Sequence, residues 1–171
     1  GLPTTGLLRV PVGGGDLEFL TTPNSEQGEL NHTYPEILPG GKAVLFTIRV
    51  AGPIENAQVA VLSLESGEYD VLFPGGSNPH YVSTGHIVYG VSGTLRAVGF
   101  DLDSLTVTSE PFPVIDGVAM GPRGAADFAL AQDGTLIYVT GGAAGGGGFN
   151  LVWVDREGRE EVLDADAATY R

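Results

Sequence analysis

The sequence has no cysteine, one methionine, one tryptophan and a single lysine, Lys42. Without cysteine there is no disulfide, no thiolate metal ligand and no cysteine nucleophile. Basic residues number 8 against 21 acidic ones, a formal net charge of −13 at pH 7. Nucleic-acid binding needs clustered Lys and Arg to displace counterions from phosphates; none cluster here, so no nucleic-acid partner is expected. The same acidity argues against docking on anionic lipid. No apolar run approaches the roughly 18 residues that cross a bilayer, so no membrane insertion by this segment is expected. No secretory-signal pattern and no initiator Met stand at Gly1, so the chain is expected to be a piece of something longer.

Glycine is abundant instead, 27 of 171 residues, with 11 prolines and 42% hydrophobic residues. There is enough apolar material for a core, cut into short lengths by turn formers. Periodicity is of the two-residue kind or consists of short apolar runs. Strands are expected at Leu7–Val12, Leu17–Thr21, Ala43–Val50, Gln58–Leu64 and Tyr69–Phe73. Further strands are expected at His86–Val91, Leu95–Phe100, Leu105–Ser109, Thr135–Thr140, Leu151–Asp155 and Glu160–Leu163. The best helical window, Glu157–Tyr170, reads at least as well as a turn and a short strand. The fold class is all-β.

Three segments align on a turn glycine: Tyr34-PEILPGG-KAVLFTI, Asn78-PHYVSTG-HIVYGV and Ala126-DFALAQDG-TLIYVT. Their anchors Gly41, Gly85 and Gly134 recur 44 and 49 residues apart, each between two candidate strands. Between them lies a second series, also strand, polar turn, strand: LLRVPVGGGDLEFL, QVAVLSLESGEYDVLF, LRAVGFDLDSLTVTSEPFPV and LVWVDREGREEVL. Four antiparallel strands in about 45 residues is the unit of a β-propeller blade.

The chain opens on the outer half of a blade plus a connection, residues 1–31. Whole blades are expected over 32–75 and 76–118, and 119–171 holds another blade with the start of the next. That is fourteen strands, about three and a half blades, where closed propellers have typically 4–8. The expectation is one partial propeller. Its open edges predict self-association.

The hairpins LPGG-KAVLF and AQDG-TLIYV resemble the SPDG-x-x-(I/L)-x-(F/Y) turn of TolB-like (WD-repeat-like) propeller repeats. The stretches HTYPEILPGGKAVLFT, SGTLRAVGFDLDSLTVTSEPFPVIDGV, ADFALAQDGTLIYV and LVWVDREGREEVL are similar to the C-terminal propeller regions of bacterial serine/threonine protein kinases. Where that pattern has SPDG, this chain has LPGG, VSTG and AQDG, so only the glycine is held. The resemblance implies an extracytoplasmic or periplasmic binding or sensing module. No HRD or DFG motif and no phosphate loop before a Val-Ala-x-Lys strand is present, so no kinase chemistry resides here.

The remaining motifs favour structural readings. The GGAAGGGG run at 141–148 has no helix after it and reads as a loop between strands, not a phosphate site. Asp101 and Asp103 lack the rest of a calcium loop and read as a turn. Asn31-His-Thr33 fits the N-glycosylation sequon, a pattern that arises often by chance. Gly90-Val-Ser92-Gly93 lacks the nucleophile-elbow spacing. Trp153 reads as packing. His80 and His86 lie six apart, which is not a zinc spacing, so no metal and no cofactor is expected. Propeller strand order places His32, Tyr34, His80, Tyr81, Arg123 and Asp127 where first strands open on the central channel, as candidate contacts for a protein or small ligand. The expected function is non-catalytic. A propeller serving a hydrolase or peptidase, or a self-assembling structural piece, is the alternative.

Overall fold

In the computed structural model the described residues are 5–121, 123–131, 133–141, 151–155 and 158–162. They form four antiparallel sheets of two to five strands, the organisation of propeller blades. The chain divides into two compact units, Gly1–Pro79 and His80–Arg171.

In the first unit, β1 (Leu8–Arg9) pairs with β2 (Glu18–Phe19) as a two-stranded sheet. A meander follows: β3 (Glu29–Ile37), β4 (Ala43–Val50), β5 (Gln58–Ser63) and β6 (Tyr69–Pro74), hydrogen-bonded in that order. Strand β4 is mostly apolar because both its faces are covered: its first six residues are buried, and the one polar side chain among them, Thr47, accepts a hydrogen bond from the Asn78 N–H. Val44, Phe46, Ile48, Ala60 and Leu62 form one cluster with Leu7, the residue that ties β1 to this sheet.

Strand β7 (Ser77–Val82) runs across the division between the units and leads into β8 (His86–Val91) and β9 (Thr94–Asp101). One outer strand, Leu105–Ser109, was expected beside β9. Two pieces stand there instead: β10 (Thr106–Val107) and β11 (Phe112–Asp116), both paired with β9. Leu105 takes a left-handed φ of 56°, and the Ser109 hydroxyl accepts the Gly99 N–H in place of a backbone carbonyl. Pro111 and Pro113 supply no N–H to restore the ladder. The described strands therefore number fifteen rather than fourteen. The last sheet is β12 (Phe128–Leu130), β13 (Leu136–Val139), β14 (Leu151–Val154) and β15 (Glu160–Val162). Val82, Val88, Leu95, Val118, Leu136, Tyr138, Val152 and Val154 are buried together within the second unit.

The repeated glycines do one job. Gly41, Gly85 and Gly134 have φ of 68°, 77° and 88°, a region open to glycine at little cost. Each N–H closes the same turn at 3.0 Å, onto Leu38, Val82 and Ala131 carbonyls. The glycine run at 141–148, read as a loop, lies outside the described residues from 142 on, as does the stretch Ala168–Tyr170, expected to begin another blade.

Candidate functional site

The six candidates fall into different settings. His32, on β3, is buried and engaged at both ring nitrogens. Tyr34, two residues on, is half-buried with φ of 52°, where the β3 register shifts between Thr33 and Glu36. His80 on β7 stacks edge-on against Phe128 of β12, ring centroids 5.0 Å apart, which joins first strands of the second unit. Tyr81 is nearly buried and meets Phe100 edge-on at 6.2 Å. Arg123 and Asp127 are exposed. Asp127 sits at the centre of a tight turn in which the Phe128 N–H donates to the Ala126 carbonyl at 3.0 Å.

A larger feature was not anticipated. Within the second unit a cleft of about 550 Å³ opens between the sheets. Val82, Val88, Val114 and Ile115 line one side, and Leu130, Leu136 and Val154 the other. Its volume lies within the roughly 300–1,000 Å³ of small-molecule pockets, and its walls are mostly apolar, as such pockets require. Thr84, Asp133, Gly134, Asp155 and Gly158 border it, so it sits at the hairpin turns of these sheets. The carboxylates at its border serve turn geometry: Asp133 Oδ1 accepts the Thr135 N–H at 2.9 Å. Asp155 accepts from the Arg159 backbone and, at 2.6 Å, from its guanidinium. Thr84 and Gly134 set the cleft beside two of the repeated hairpin turns, and no sequence signal marks the opening between its walls.

A second unanticipated feature is a buried polar chain in the first unit. The Leu7 N–H donates to Thr21 Oγ1 at 2.8 Å, and that oxygen lies 2.7 Å from His32 Nδ1. His32 Nε2 lies 3.2 Å from Glu29 Oε2. The Glu29 carboxylate also accepts the Asn24 N–H at 2.6 Å and the Tyr69 hydroxyl at 3.0 Å. One pattern of protons satisfies every group. The Thr21 hydroxyl donates to Nδ1, and a neutral His32 donates from Nε2 to Glu29. Burial lowers the His32 pKa below 6.5, against the hydrogen bond and charge of Glu29, which raise it. The Tyr69 hydroxyl is pushed up to about 12, first by burial and then by the bond to Glu29.

Asp101 behaves as the turn reading expects. Its Oδ1 accepts the Ser104 hydroxyl at 2.6 Å and the Ser104 N–H at 2.7 Å, and these bonds hold its carboxyl below the usual range. Trp153, expected to pack, is 43% exposed. Among the described residues no group of three His, Asp or Glu could hold a metal ion, and no helix is long and apolar enough to cross a membrane.

No family model and no curated protein sequence matches the chain. Solved structures do. A luciferin-regenerating enzyme is 11% identical with a TM-score of 0.61, over 88% of this chain and 50% of that one. A Mycobacterium tuberculosis puromycin-hydrolyzing peptidase is 18% identical with a TM-score of 0.62, over 91% and 24%. TolB from Acinetobacter baumannii is 17% identical with a TM-score of 0.54, over 86% and 35%. The chain spans half or less of the length of each. At these identities the likeness is one of fold, and the fold it supports is β-propeller-like.

Proposed function

We propose that this chain is a non-catalytic propeller module for binding or sensing, a piece of a larger bacterial protein of the receptor-like serine/threonine kinase kind, working outside the cytoplasm. The cleft in the second unit carries the reading. Its walls are apolar, and the carboxylates at its rim are occupied in turns, an arrangement suited to holding a ligand rather than transforming one. The kinase assignment rests on the sequence resemblance alone. Val114 lines the cleft and is 45% exposed, so Val114→Asp changes the wall without emptying the core. An apolar fluorescent probe is expected to bind the native chain and to lose at least tenfold in affinity to Val114→Asp. Equal binding by both proteins, or hydrolysis of peptide or ester substrates by the native chain, overturns the reading. The full reading frame tests the kinase setting, which requires an upstream kinase domain.

The likeness to a puromycin-hydrolyzing peptidase favours a second reading, a propeller that serves a hydrolase. Loss of a measured hydrolytic activity on His32→Ala or His80→Ala would select it. Self-association is proposed on a separate observation. Leu8, Val10, Leu17 and Phe19 on and beside the two-stranded sheet are exposed large apolar side chains. Covering them favours a second copy. A monomer by light scattering at high concentration removes that proposal.

A further inference from the structure

We infer that Thr21, His32 and Glu29 form an acid-sensitive latch that holds residues 5–21 on the β3–β6 sheet and releases them as the surroundings acidify. The inference goes beyond ligand binding and rests on the first unit alone.

The segment has little else to hold it. Strands β1 and β2 are two residues each. The backbone joins them at the Leu7 carbonyl, which accepts from Leu20 at 2.8 Å and Thr21 at 3.4 Å, and joins the segment to β3 where the His32 N–H meets the Thr5 carbonyl at 3.0 Å. Leu7 is its one fully buried apolar side chain, with half-buried Leu20 packed on the same cluster, and Arg9 with Glu18 form an exposed ion pair within the hairpin. Segments with few buried contacts open first.

The latch itself is buried. The His32 and Glu29 side chains are 0% and 2% exposed. The titratable groups facing the His32 ring are Glu29 on β3 and Tyr69 at the start of β6; Phe46 of β4 and Thr21 complete its surroundings. A second proton has to go to Nδ1, where the Thr21 hydroxyl hydrogen already sits. Thr21 Oγ1 would then accept from both Leu7 and His32, and its own hydrogen would be turned into the core without an acceptor. The closed latch therefore resists protonation, in line with the lowered pKa of the buried ring. Once open, the solvated ring takes its proton at the ordinary value near 6.5. Acid thus favours the open form, starting below that value. Opening takes Leu7 and Leu20 off the cluster of Val44, Phe46, Ile48, Ala60 and Leu62.

Hydrogen exchange at pH 7.0 and 5.5, corrected for intrinsic rates, tests the latch at the Leu7, Leu20, Thr21 and His32 amides. One proton per opening allows at most about a tenfold rise in the opening constant per pH unit. The expected result is a several-fold rise at these amides while β4 and β5 stay protected. In His32→Gln the amide oxygen can accept from Thr21 and the amide nitrogen can donate to Glu29, so opening becomes independent of pH. His80→Gln and His86→Gln keep the native response. An unchanged native protein, an equal rise across all amides, or a native response in His32→Gln each overturns the latch. Should His32→Gln fail to fold, the native ring followed by NMR decides. Protonation of His32 at or above pH 6.5 with the amides still protected refutes it.

Discussion

Tyr34 and Asn78 share one unusual backbone conformation, φ of 52° and 53°, each directly before a proline at the same position of the repeat. Left-handed backbone costs an L-residue with a Cβ about 1–2 kcal/mol, and Asn is among the few that adopt it readily. Asn78 is further fixed by its N–H, which donates to Thr47 Oγ1 of β4 at 3.0 Å. Asn78→Ala is expected to lower stability by about 1 kcal/mol and Asn78→Gly to leave it nearly unchanged. Urea midpoints decide, and equal losses in both variants would place the effect in the side chain instead.

Thr47 gives a companion test. It is fully buried, so Thr47→Val keeps its shape but leaves the Asn78 N–H without that acceptor. A loss of about 1–3 kcal/mol is expected, the usual penalty for a buried donor left unmade. A neutral result in urea unfolding would mean that water reaches Asn78.

Alkaline pH tests two tyrosines together. Tyr138 donates to Glu160 Oε1 at 3.1 Å and, like Tyr69, is pushed up to about 12, by burial first and the carboxylate second. A pKa raised in the folded state means that the unfolded chain ionises first. The contribution is therefore whole below pH 10 and is lost as pH rises through about 12. Urea midpoints should fall between pH 9 and 11, and less so in Tyr138→Phe and Tyr69→Phe. A native-like fall in both variants would assign the effect to other groups.

The repeat was legible because its glycines are required by geometry: Gly41, Gly85 and Gly134 all close turns with positive φ. The central strands were legible because burial on both faces demands short apolar stretches such as Ala43–Phe46 at the start of β4. The His32–Glu29 pair was not, since residues three apart on a regular strand face opposite ways. The β3 register shift between Glu29 and Asn31 turns them to one side, and no residue in that stretch announces it. The cleft escaped for a different reason. Its walls come from strands far apart in sequence, and the sequence pattern marks each as core without saying where the core is left open. The split of the outer strand into β10 and β11 was written in Pro111 and Pro113, which the alternation around them concealed.

Glycine also matters where it is not in a turn. A methyl group on Gly6 would overlap the Thr21 carbonyl, which is backbone and has no side-chain freedom to yield. A methyl on Gly90 would meet Met120 Cε and Ala126 Cβ at 2.9 Å each. The methionine end can swing aside, but Ala126 Cβ is fixed to its backbone. Overpacking costs typically about 1–3 kcal/mol, and the softness of the neighbour sets the place within that range. Gly90→Ala, with one yielding and one fixed neighbour, is expected within that range and Gly6→Ala at or beyond its top. The two should also differ in reach. Gly6→Ala separates Leu7 from Thr21 and should strip exchange protection from the Leu7, Leu20 and Thr21 amides at neutral pH. Gly90→Ala should leave those amides untouched. Protection retained in Gly6→Ala would show that the segment can shift without losing its hold on β3.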